Sequence, residues 1–399
     1  MTSILIIVLA LIVSAADWPQ WRGPNRDGIS SETGLLTSWP TGGPRALWKT
    51  SGLGEGYSSP AIAEGRLYTQ GQHGGKQSVM AFEASTGKKL WETPTAPAFH
   101  HQQAGNGPRG TPTVDSGHVY AMAADGTLVC LDAATGKSIW SQNVVQKYGG
   151  SGIMWGMSES PLVDGDRLIV TPGGPGASVV SLNKLNGGLQ WKTGSDEAGY
   201  SAAIVVDIGG VRQVLALTGK SLLCIKEDDG ELLWSYTKII TKWPGMATPI
   251  YHDGYLFVST AFDADCALLR LGPRTMSEVY FKHAGMNYFY YWTSVLVDDT
   301  IYGYSNSVLT AMDFKTGKVI WKDRSVGKGS VIYADKHLYV LSEDGVIGLA
   351  EVTPQKYKEI SRFEVPIAQA PARTPPVISN GKLYLRVQDN LICYDIKAR

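Results

Sequence analysis

The chain has 399 residues and no net charge at neutral pH, because 36 Lys and Arg balance 36 Asp and Glu. This balance excludes a strongly basic nucleic-acid-binding protein and gives no electrostatic attraction to an anionic membrane. The 46 Gly, 19 Tyr and 12 Trp, with only 18% charged residues, are typical of many short strands joined by tight turns. Composition therefore predicts an all-β protein.

The first residues resemble an export signal. Residues 4–13 are an apolar run that ends in Ser14, Ala15 and Ala16. The run is too short to span a bilayer, and the small residues match a signal peptidase site. We therefore expect residues 1–16 to be a cleavable signal peptide. Because no Cys follows the run, we expect a periplasmic or secreted protein without a lipid anchor or a membrane span.

A turn followed by a strand that ends in Trp recurs along the chain. The turns read TGK, NGG or DGE, where Gly supplies a positive φ, and the flanking residues alternate as hairpin strands do. We expect each such aromatic residue to pack between neighbouring sheets. The repeated Trp residues are Trp91, Trp140, Trp191, Trp234 and Trp321, with weaker versions at Tyr280 and Phe363.

A second landmark opens each unit. It is a small hydroxyl residue or Pro, then a short apolar run, a polar turn and a second apolar strand. Eight copies recur at spacings of about 37 to 52 residues, the length of one four-stranded propeller blade. The copies start at Ser59, Thr111, Ser160, Ser201, Thr248, Thr293, Ser330 and Pro375.

The two ends of the chain complement each other. The eighth unit stops at residue 399 without its Trp strand, and an orphan strand of that type surrounds Trp48. Pairing the two closes a ring and removes exposed strand edges. We therefore predict an N-terminal extension over 17–45 and an eight-bladed β-propeller over 46–399, closed by the Trp48 strand.

The cysteines do not form an evident disulfide framework. Cys130, Cys224 and Cys393 occupy the same position in three separated repeats, so they lie too far apart to bridge. We expect them to be small buried apolar residues.

The repeated units with TGK turns and Trp strands, together with the stretches WPQWRGPNRDG and GPRGTPTVDSG, resemble the PQQ-like (pyrroloquinoline quinone-like) repeats of the quinoprotein alcohol dehydrogenase-like superfamily. The resemblance covers nearly all of the chain after residue 16. It implies a propeller, but many such propellers have no known cofactor. Another relative is the propeller lipoprotein of the outer-membrane β-barrel assembly complex, which binds protein partners.

The resemblance also implies what an enzyme of this superfamily would need. Its PQQ dehydrogenases use a quinone, Ca²⁺ and a carboxylate base. The alcohol dehydrogenases have two adjacent cysteines, whereas no two cysteines of this chain are adjacent. Its acidic residues fall mostly in ordinary turns. We expect no catalytic or metal residues and no cofactor, and favour a binding or scaffold module. The alternative is a PQQ- and calcium-dependent dehydrogenase of alcohols or sugars.

Ligand-binding candidates lie in the connections that precede the opening landmarks, because these connections converge on one mouth of the axis. A ring of cations, aromatic residues and a carboxylate there suits an anionic or aromatic small ligand, or a protein partner. The competing interpretation is that Arg109, Glu159 and Arg373 lock the ring by pairing with each other or with blade-end carbonyls. The candidates are Arg109, Trp155, Glu159, Tyr200, Trp292, Lys328 and Arg373.

Two connections, Thr93–Arg109 and Val144–Ser158, are longer than blade closure requires. Both should lie at the same mouth, and long ordered loops are often functional. The adjacent His100 and His101 would point to opposite faces of a strand, so we expect an exposed polar loop there and not a metal site.

Overall fold

A computed structural model of the chain describes residues 17–240, 244–260, 265–283, 294–305, 307–366 and 371–399. Regular structure in these ranges is almost entirely β, with one short helix, α1 (Val144–Lys147). The strands form eight sheets, each with a core of four antiparallel strands, and they are arranged as the predicted eight-bladed propeller. No helix of the described residues is long and apolar enough to cross a membrane.

The first four blades follow the chain without interruption. Blade 1 comprises β3 (Ala61–Ala63), β4 (Arg66–His73), β5 (Lys76–Glu83) and β6 (Lys89–Pro97). Blade 2 comprises β7 (Thr113–Asp115), β8 (His118–Met122), β9 (Thr127–Asp132) and β10 (Ser138–Asn143). Blade 3 comprises β11 (Leu162–Asp164), β12 (Arg167–Val170), β13 (Val179–Asn183) and β14 (Leu189–Thr193). Blade 4 comprises β15 (Ile204–Ile208), β16 (Val211–Leu217), β17 (Leu222–Lys226) and β18 (Leu232–Tyr236).

The last four blades include two strands from the N-terminal part of the chain. Blade 5 comprises β19 (Ile250–His252), β20 (Tyr255–Ser259), β21 (Cys266–Leu271) and β22 (Met276–Lys282). Blade 6 comprises β23 (Val295–Val297), β24 (Thr300–Ser305), β25 (Val308–Asp313) and β26 (Val319–Asp323). Blade 7 comprises β27 (Gly329–Ala334), β28 (His337–Ser342), β29 (Val346–Glu351) and β30 (Lys358–Glu364), with β1 (Ile29–Ser30) added parallel to β27. Blade 8 comprises β31 (Val377–Ser379), β32 (Lys382–Val387), β33 (Asn390–Asp395) and β2 (Ala46–Thr50).

The ring closes through the Trp48 strand, as the repeat count predicts. β2 pairs antiparallel with β33, with Trp48 opposite Cys393. The Trp48 indole donates a hydrogen bond to the Ala84 carbonyl of blade 1 at 3.2 Å, so this side chain joins the last blade to the first. All four cysteines are buried and free, which confirms that they act as small apolar residues.

The repeated aromatic side chains join each blade to the next, as predicted. Trp91 and Trp140, for example, donate to the Ala133 and Lys184 carbonyls of the following blade at 3.1 and 3.0 Å. The Gly of the neighbouring turn makes room for the ring: a Cβ on Gly136 would lie 2.6 Å from Trp91. The Gly in the TGK turn is therefore needed both for its positive φ and for close approach of the indole.

Every outer strand also carries a β-bulge at the same place. In β10, for instance, the register shifts between Ser138 and Trp140, so Ile139 is the extra residue. Equivalent shifts occur in all eight outer strands. A bulge twists an edge strand and interrupts its hydrogen-bonding row, which opposes pairing with another molecule.

Blade 7 departs from the predicted pattern. The residue after its bulge is Ser361, and Phe363, which we expected to dock there, lies two residues further along β30. Trp39 from the N-terminal segment occupies the docking position instead. It is 6% exposed, donates its backbone N–H to Ser361 Oγ at 3.0 Å, and packs 5.8 Å from the Tyr339 ring and 5.2 Å from Phe363. The aromatic residue that the repeat lacks is thus supplied from outside it.

Replacing Trp48 with Ala should destabilise the whole propeller, because the variant loses the indole contact between the first and last blades. We expect a loss of about 2 to 4 kcal/mol, in the lower part of the range for buried Trp because this ring is only half-buried. Urea-induced unfolding followed by circular dichroism measures it. Leu47→Ala, at the exposed neighbouring position, is the matched control. Equal stability of the two variants would contradict closure by Trp48.

Candidate functional site

The N-terminal segment 17–36, here called the axial plug, crosses the centre of the ring. The first strands of neighbouring blades contact one another around this centre. The axial plug touches blade 1 through a bridge between Trp18 and Ile62, and blade 8 through a bridge between Leu35 and Lys397. It thus reaches the two blades that the ring closure joins.

Its contacts extend to the six remaining blades. The Pro19 carbonyl accepts from Val114 N–H in blade 2 at 2.8 Å, and β1 pairs with β27 of blade 7. The other contacts are Arg26 to Pro161 of blade 3 and Ala203 of blade 4, Trp21 to Thr248 of blade 5, and Arg22 to Ser294 of blade 6. One short segment therefore contacts all eight blades.

Two buried arginines of the axial plug donate hydrogen bonds to the inner ends of three blades. Arg22 and Arg26 are 4% and 3% exposed, and both have positive φ values, 62° and 57°, which are uncommon for residues other than Gly. Their guanidinium groups donate to backbone carbonyls at the inner ends of the blades. Arg26 donates to Ser160 at 3.1 Å and to Ala203 at 3.2 Å. Burial lowers the pKa of Arg22 to about 9 and that of Arg26 to about 10, so both remain cations at neutral pH.

Glu159 is a buried carboxylate close enough to Arg26 for their charges to interact. It is 1% exposed, and its carboxylate accepts from Thr171 N–H at 2.6 Å and from Thr171 Oγ1 at 2.8 Å. Burial raises the pKa of Glu159 to about 7, against the opposing effect of the Thr171 hydrogen bonds and the nearby Arg26 charge. The carboxylate therefore belongs to the interior around the axial plug.

A cavity of about 400 Å³ opens at the mouth where the blade-to-blade connections converge. We call it the axial cavity. Its walls come from six different connections between blades, and Trp21 of the axial plug contributes to it. The described lining residues are Trp21, Tyr57, Gln103, Ala104, Arg109, Trp155, Ser158, Tyr200, Ala202, Met246, Thr248, Arg373 and Pro375.

One wall of the axial cavity is a cation and aromatic stack. The Arg109 and Arg373 guanidinium groups lie 5.8 and 5.6 Å from the centre of the Tyr57 ring, and Arg109 lies 4.8 Å from Phe99. Arg109 donates to carbonyls of its own loop, including Gly105 at 2.7 Å. Burial, helped by the Arg373 charge, lowers the pKa of Arg109 to about 10. Arg373 Nε lies 3.4 Å from Glu343 Oε1.

A second part of the lining is aromatic. The Trp155 and Tyr200 rings lie 5.3 Å apart at 31°, and the Trp155 backbone N–H donates to the Tyr200 hydroxyl at 3.2 Å. Gly156 packs against Phe99: a Cβ there would lie 2.9 Å from that ring. The two long connections singled out in the sequence therefore pack together at this mouth.

The structure brings four of the seven candidate residues together: Arg109, Trp155, Tyr200 and Arg373 line the axial cavity. The Glu159 side chain points into the interior instead, and Lys328 pairs with Glu343 at 3.2 Å. Trp292 lies outside the described residues. His100 and His101 lie in the loop that carries Arg109, as expected for the longer connection.

The chemistry of this lining does not fit a calcium-assisted quinone site. Such a site needs several oxygen ligands for Ca²⁺ and a carboxylate base beside the substrate. The described lining contains two arginines, aromatic rings, amides and hydroxyls, and no carboxylate. Elsewhere in the described ranges, no three His, Cys, Asp or Glu side chains are grouped so as to hold a metal ion.

Comparison with known proteins identifies the family. A PQQ repeat family model described as outer membrane protein assembly factor BamB matches residues 28–106 and 75–259, together more than half of the chain. The chain belongs to this family. It is a PQQ-like β-propeller, as the repeated Trp strands predict.

Individual relatives within the BamB family are distant. The chain is 24% identical over 238 residues to an outer membrane protein assembly factor BamB of Shewanella oneidensis, covering 59% of this chain and 56% of that protein. It is 23% identical over 367 residues to the protein of that name in Yersinia pestis, covering 87% and 76%. The chain therefore spans little more than half of the Shewanella relative.

Solved structures share the fold. BamB from Moraxella catarrhalis superposes with a TM-score of 0.64 at 16% identity, covering 88% of this chain and 99% of that one. Quinohemoprotein alcohol dehydrogenase from Comamonas testosteroni superposes with a TM-score of 0.55 at 12% identity, covering 96% and 81%. Since the same fold is found in an assembly factor and in a dehydrogenase, the fold alone assigns no activity.

Residues 17–45 are predicted above only as an N-terminal extension, although the sequence contains a signal for the axial plug. WPQWRGPNRDG combines two Trp and two Arg with turn-forming residues, and it lies outside the repeat period. A segment with that many buried-type side chains cannot remain a solvated extension.

Replacing Glu159 with Gln should remove a pH-dependent loss of stability. The pKa of Glu159 is higher in the folded chain than in the unfolded chain, so folding is favoured at low pH and becomes less favoured as pH rises from about 4.5 to 7. Gln keeps an oxygen that can accept from Thr171 and carries no charge. Urea unfolding at several pH values should show the variant gaining stability relative to the parent as pH rises from about 4.5 to 7. If the stabilities of the parent and the variant change with pH in the same way, the raised pKa of Glu159 is contradicted.

Proposed function

We propose that this chain is an exported, non-catalytic β-propeller that binds an organic anion with a flat apolar body in the axial cavity. The observation that carries the proposal is the convergence of Arg109 and Arg373 on the Tyr57 ring, in the same cavity as the Trp155 and Tyr200 pair. Arginine provides planar donors for carboxylate or sulfonate groups, and aromatic walls favour a flat body.

The size and rigidity of the axial cavity support small-molecule binding. A volume of about 400 Å³ lies in the usual range for ligand sites. Its walls are fixed by hydrogen bonds before any ligand arrives, such as Ser158 Oγ to the Tyr200 carbonyl at 2.9 Å. A preformed site loses little conformational entropy on binding.

Export and a role outside the cytoplasm belong to the same proposal. The apolar run and small residues at the start of the chain favour a signal peptide, and the relatives carry the name of an outer membrane assembly factor. N-terminal sequencing of the protein from a bacterial envelope fraction should begin near Ala16 or Asp17. An intact Met1 in the cytosolic fraction would contradict export.

The site is tested by binding a naphthalene disulfonate, followed by titration calorimetry, with a neutral naphthalene dimethanol for comparison. Arg373→Ala should weaken the disulfonate about tenfold to a hundredfold, because one charge-assisted hydrogen bond is lost. The free energy of unfolding should change little, because Glu343 still forms an ion pair with Lys328. Arg45→Ala, at an exposed arginine on the rim, is the control of equal charge.

If the arginines only lock the ring, the same substitution has the opposite effect. Arg373→Ala would then lower the melting temperature without changing binding of the disulfonate. Equal affinity for the charged and neutral probes would also contradict an anion site.

The dehydrogenase alternative is tested separately. Purified protein mixed with PQQ and Ca²⁺ should not reduce an artificial electron acceptor in the presence of alcohols or aldoses, because the described lining offers no carboxylate base. Dye reduction that requires both additions would overturn the non-catalytic proposal. Binding of PQQ without turnover would be consistent with it, since PQQ is itself a flat organic anion.

A further inference from the structure

One long connection at the mouth is held together by a histidine. We call residues 98–109 the mouth loop. It contributes Gln103, Ala104 and Arg109 to the axial cavity. Any condition that loosens the mouth loop therefore changes the cavity wall.

The loop is organised around His101. The backbone N–H groups of Gln103 and Ala104 both donate to His101 Nδ1, at 3.2 and 3.0 Å. A ring nitrogen can accept only when it carries no proton, so these two bonds require neutral imidazole with its proton on Nε2. The Gly105 N–H donates to the His101 carbonyl at 3.0 Å, which completes a tight turn around this residue.

The next two peptide units of the same turn hold Arg109. Its guanidinium donates to the Ala104 carbonyl at 3.4 Å and to the Gly105 carbonyl at 2.7 Å. Neutral His101 thus orients the N–H side of this turn, and Arg109 binds the carbonyl side. The turn also packs on the cavity wall directly, because a Cβ on Gly105 would lie 2.0 Å from the Tyr57 hydroxyl.

We infer that the mouth loop is a pH-sensitive latch on the axial cavity, closed while His101 is neutral and released when its Nδ1 gains a proton. This inference rests on the proposed binding site and adds its regulation. Protonation converts Nδ1 from an acceptor into a donor that faces two N–H groups, so both hydrogen bonds are lost at once. Histidine is the side chain that ordinarily changes charge between about pH 5 and pH 8.

Other charges near the latch act with the protonated ring or against it. Asn106 Nδ2 donates to Glu55 at 3.0 Å, which places a carboxylate beside the loop, whereas Arg109 is a cation within it. Among the described residues, further titratable groups on the segments packed around the loop are Tyr57, His73, Lys76, Glu92, His100, Tyr200 and Arg373.

Two variants separate the latch from a general effect of acid. His101→Asn places an amide oxygen near the position of Nδ1, so it accepts the same N–H groups and does not titrate. His101→Ala removes the acceptor at every pH. His100→Asn is the matched control, because it removes a neighbouring imidazole for which the structure shows no loop hydrogen bond among the described residues.

The first readout is hydrogen exchange of peptides covering the mouth loop, measured on the full exported chain at about pH 5 and pH 7.5 and corrected for the intrinsic pH dependence. We expect at least tenfold faster exchange in acid for the parent and for His100→Asn. His101→Asn should stay protected at both pH values, and His101→Ala should be unprotected at both. Equal protection of the parent at the two pH values would overturn the inference.

The second readout is the affinity for the naphthalene disulfonate, which stays fully ionised over this range. A protonated imidazole near the cavity would by its charge alone strengthen binding of this anion. The latch predicts the opposite, weaker binding of the parent in acid and constant binding of His101→Asn. Tighter binding in acid would overturn the inference. Should the disulfonate not bind at all, the exchange results still test the latch, and only the proposed function fails.

Discussion

Backbone carbonyls at the inner ends of the blades are buried and need hydrogen-bond donors. The rest of the structure depends on which groups supply these donors. A buried carbonyl without a partner costs about 1 to 3 kcal/mol. Here the donors are the side chains of Arg22 and Arg26 in the axial plug. A guanidinium group carries five donors in a fixed fork, so one residue can reach carbonyls of two adjacent blades, as Arg26 does. The cost of burying the cation is offset by several charge-assisted hydrogen bonds.

The N-terminal part of the chain contributes to ring closure at three successive positions. The axial plug binds the inner ends of the blades, Trp39 fills the docking position that blade 7 lacks, and β2 completes blade 8. The ring is therefore closed at its centre and at its outer rim by one continuous stretch. Arg386 adds to the closure, because this buried residue of blade 8 donates to the Ser58 carbonyl of blade 1 at 2.9 Å.

The repeated features could be predicted from the sequence, and the unrepeated ones could not. Period and turn chemistry located the blades, the docking Trp residues and the ring-closing strand, because each copy supports the interpretation of the others. Trp39 and the axial plug occur once, so nothing in the period marks them. Likewise, the register placed Arg109, Tyr200 and Arg373 at one mouth, but it gives no side-chain direction. Glu159 turns inward because Thr171, 12 residues further on, offers two donors that only the folded chain brings near.

Removal of residues 17–36 tests whether the axial plug holds the ring together. Urea unfolding would compare chains that begin at residues 17 and 37, both of which keep Trp39 and β2. We expect a much lower unfolding midpoint for the shorter chain, and partial recovery when a synthetic peptide of residues 17–36 is added, because a ligand of the folded state stabilises it. An unchanged midpoint and slope for the shorter chain would show that the ring does not depend on the axial plug.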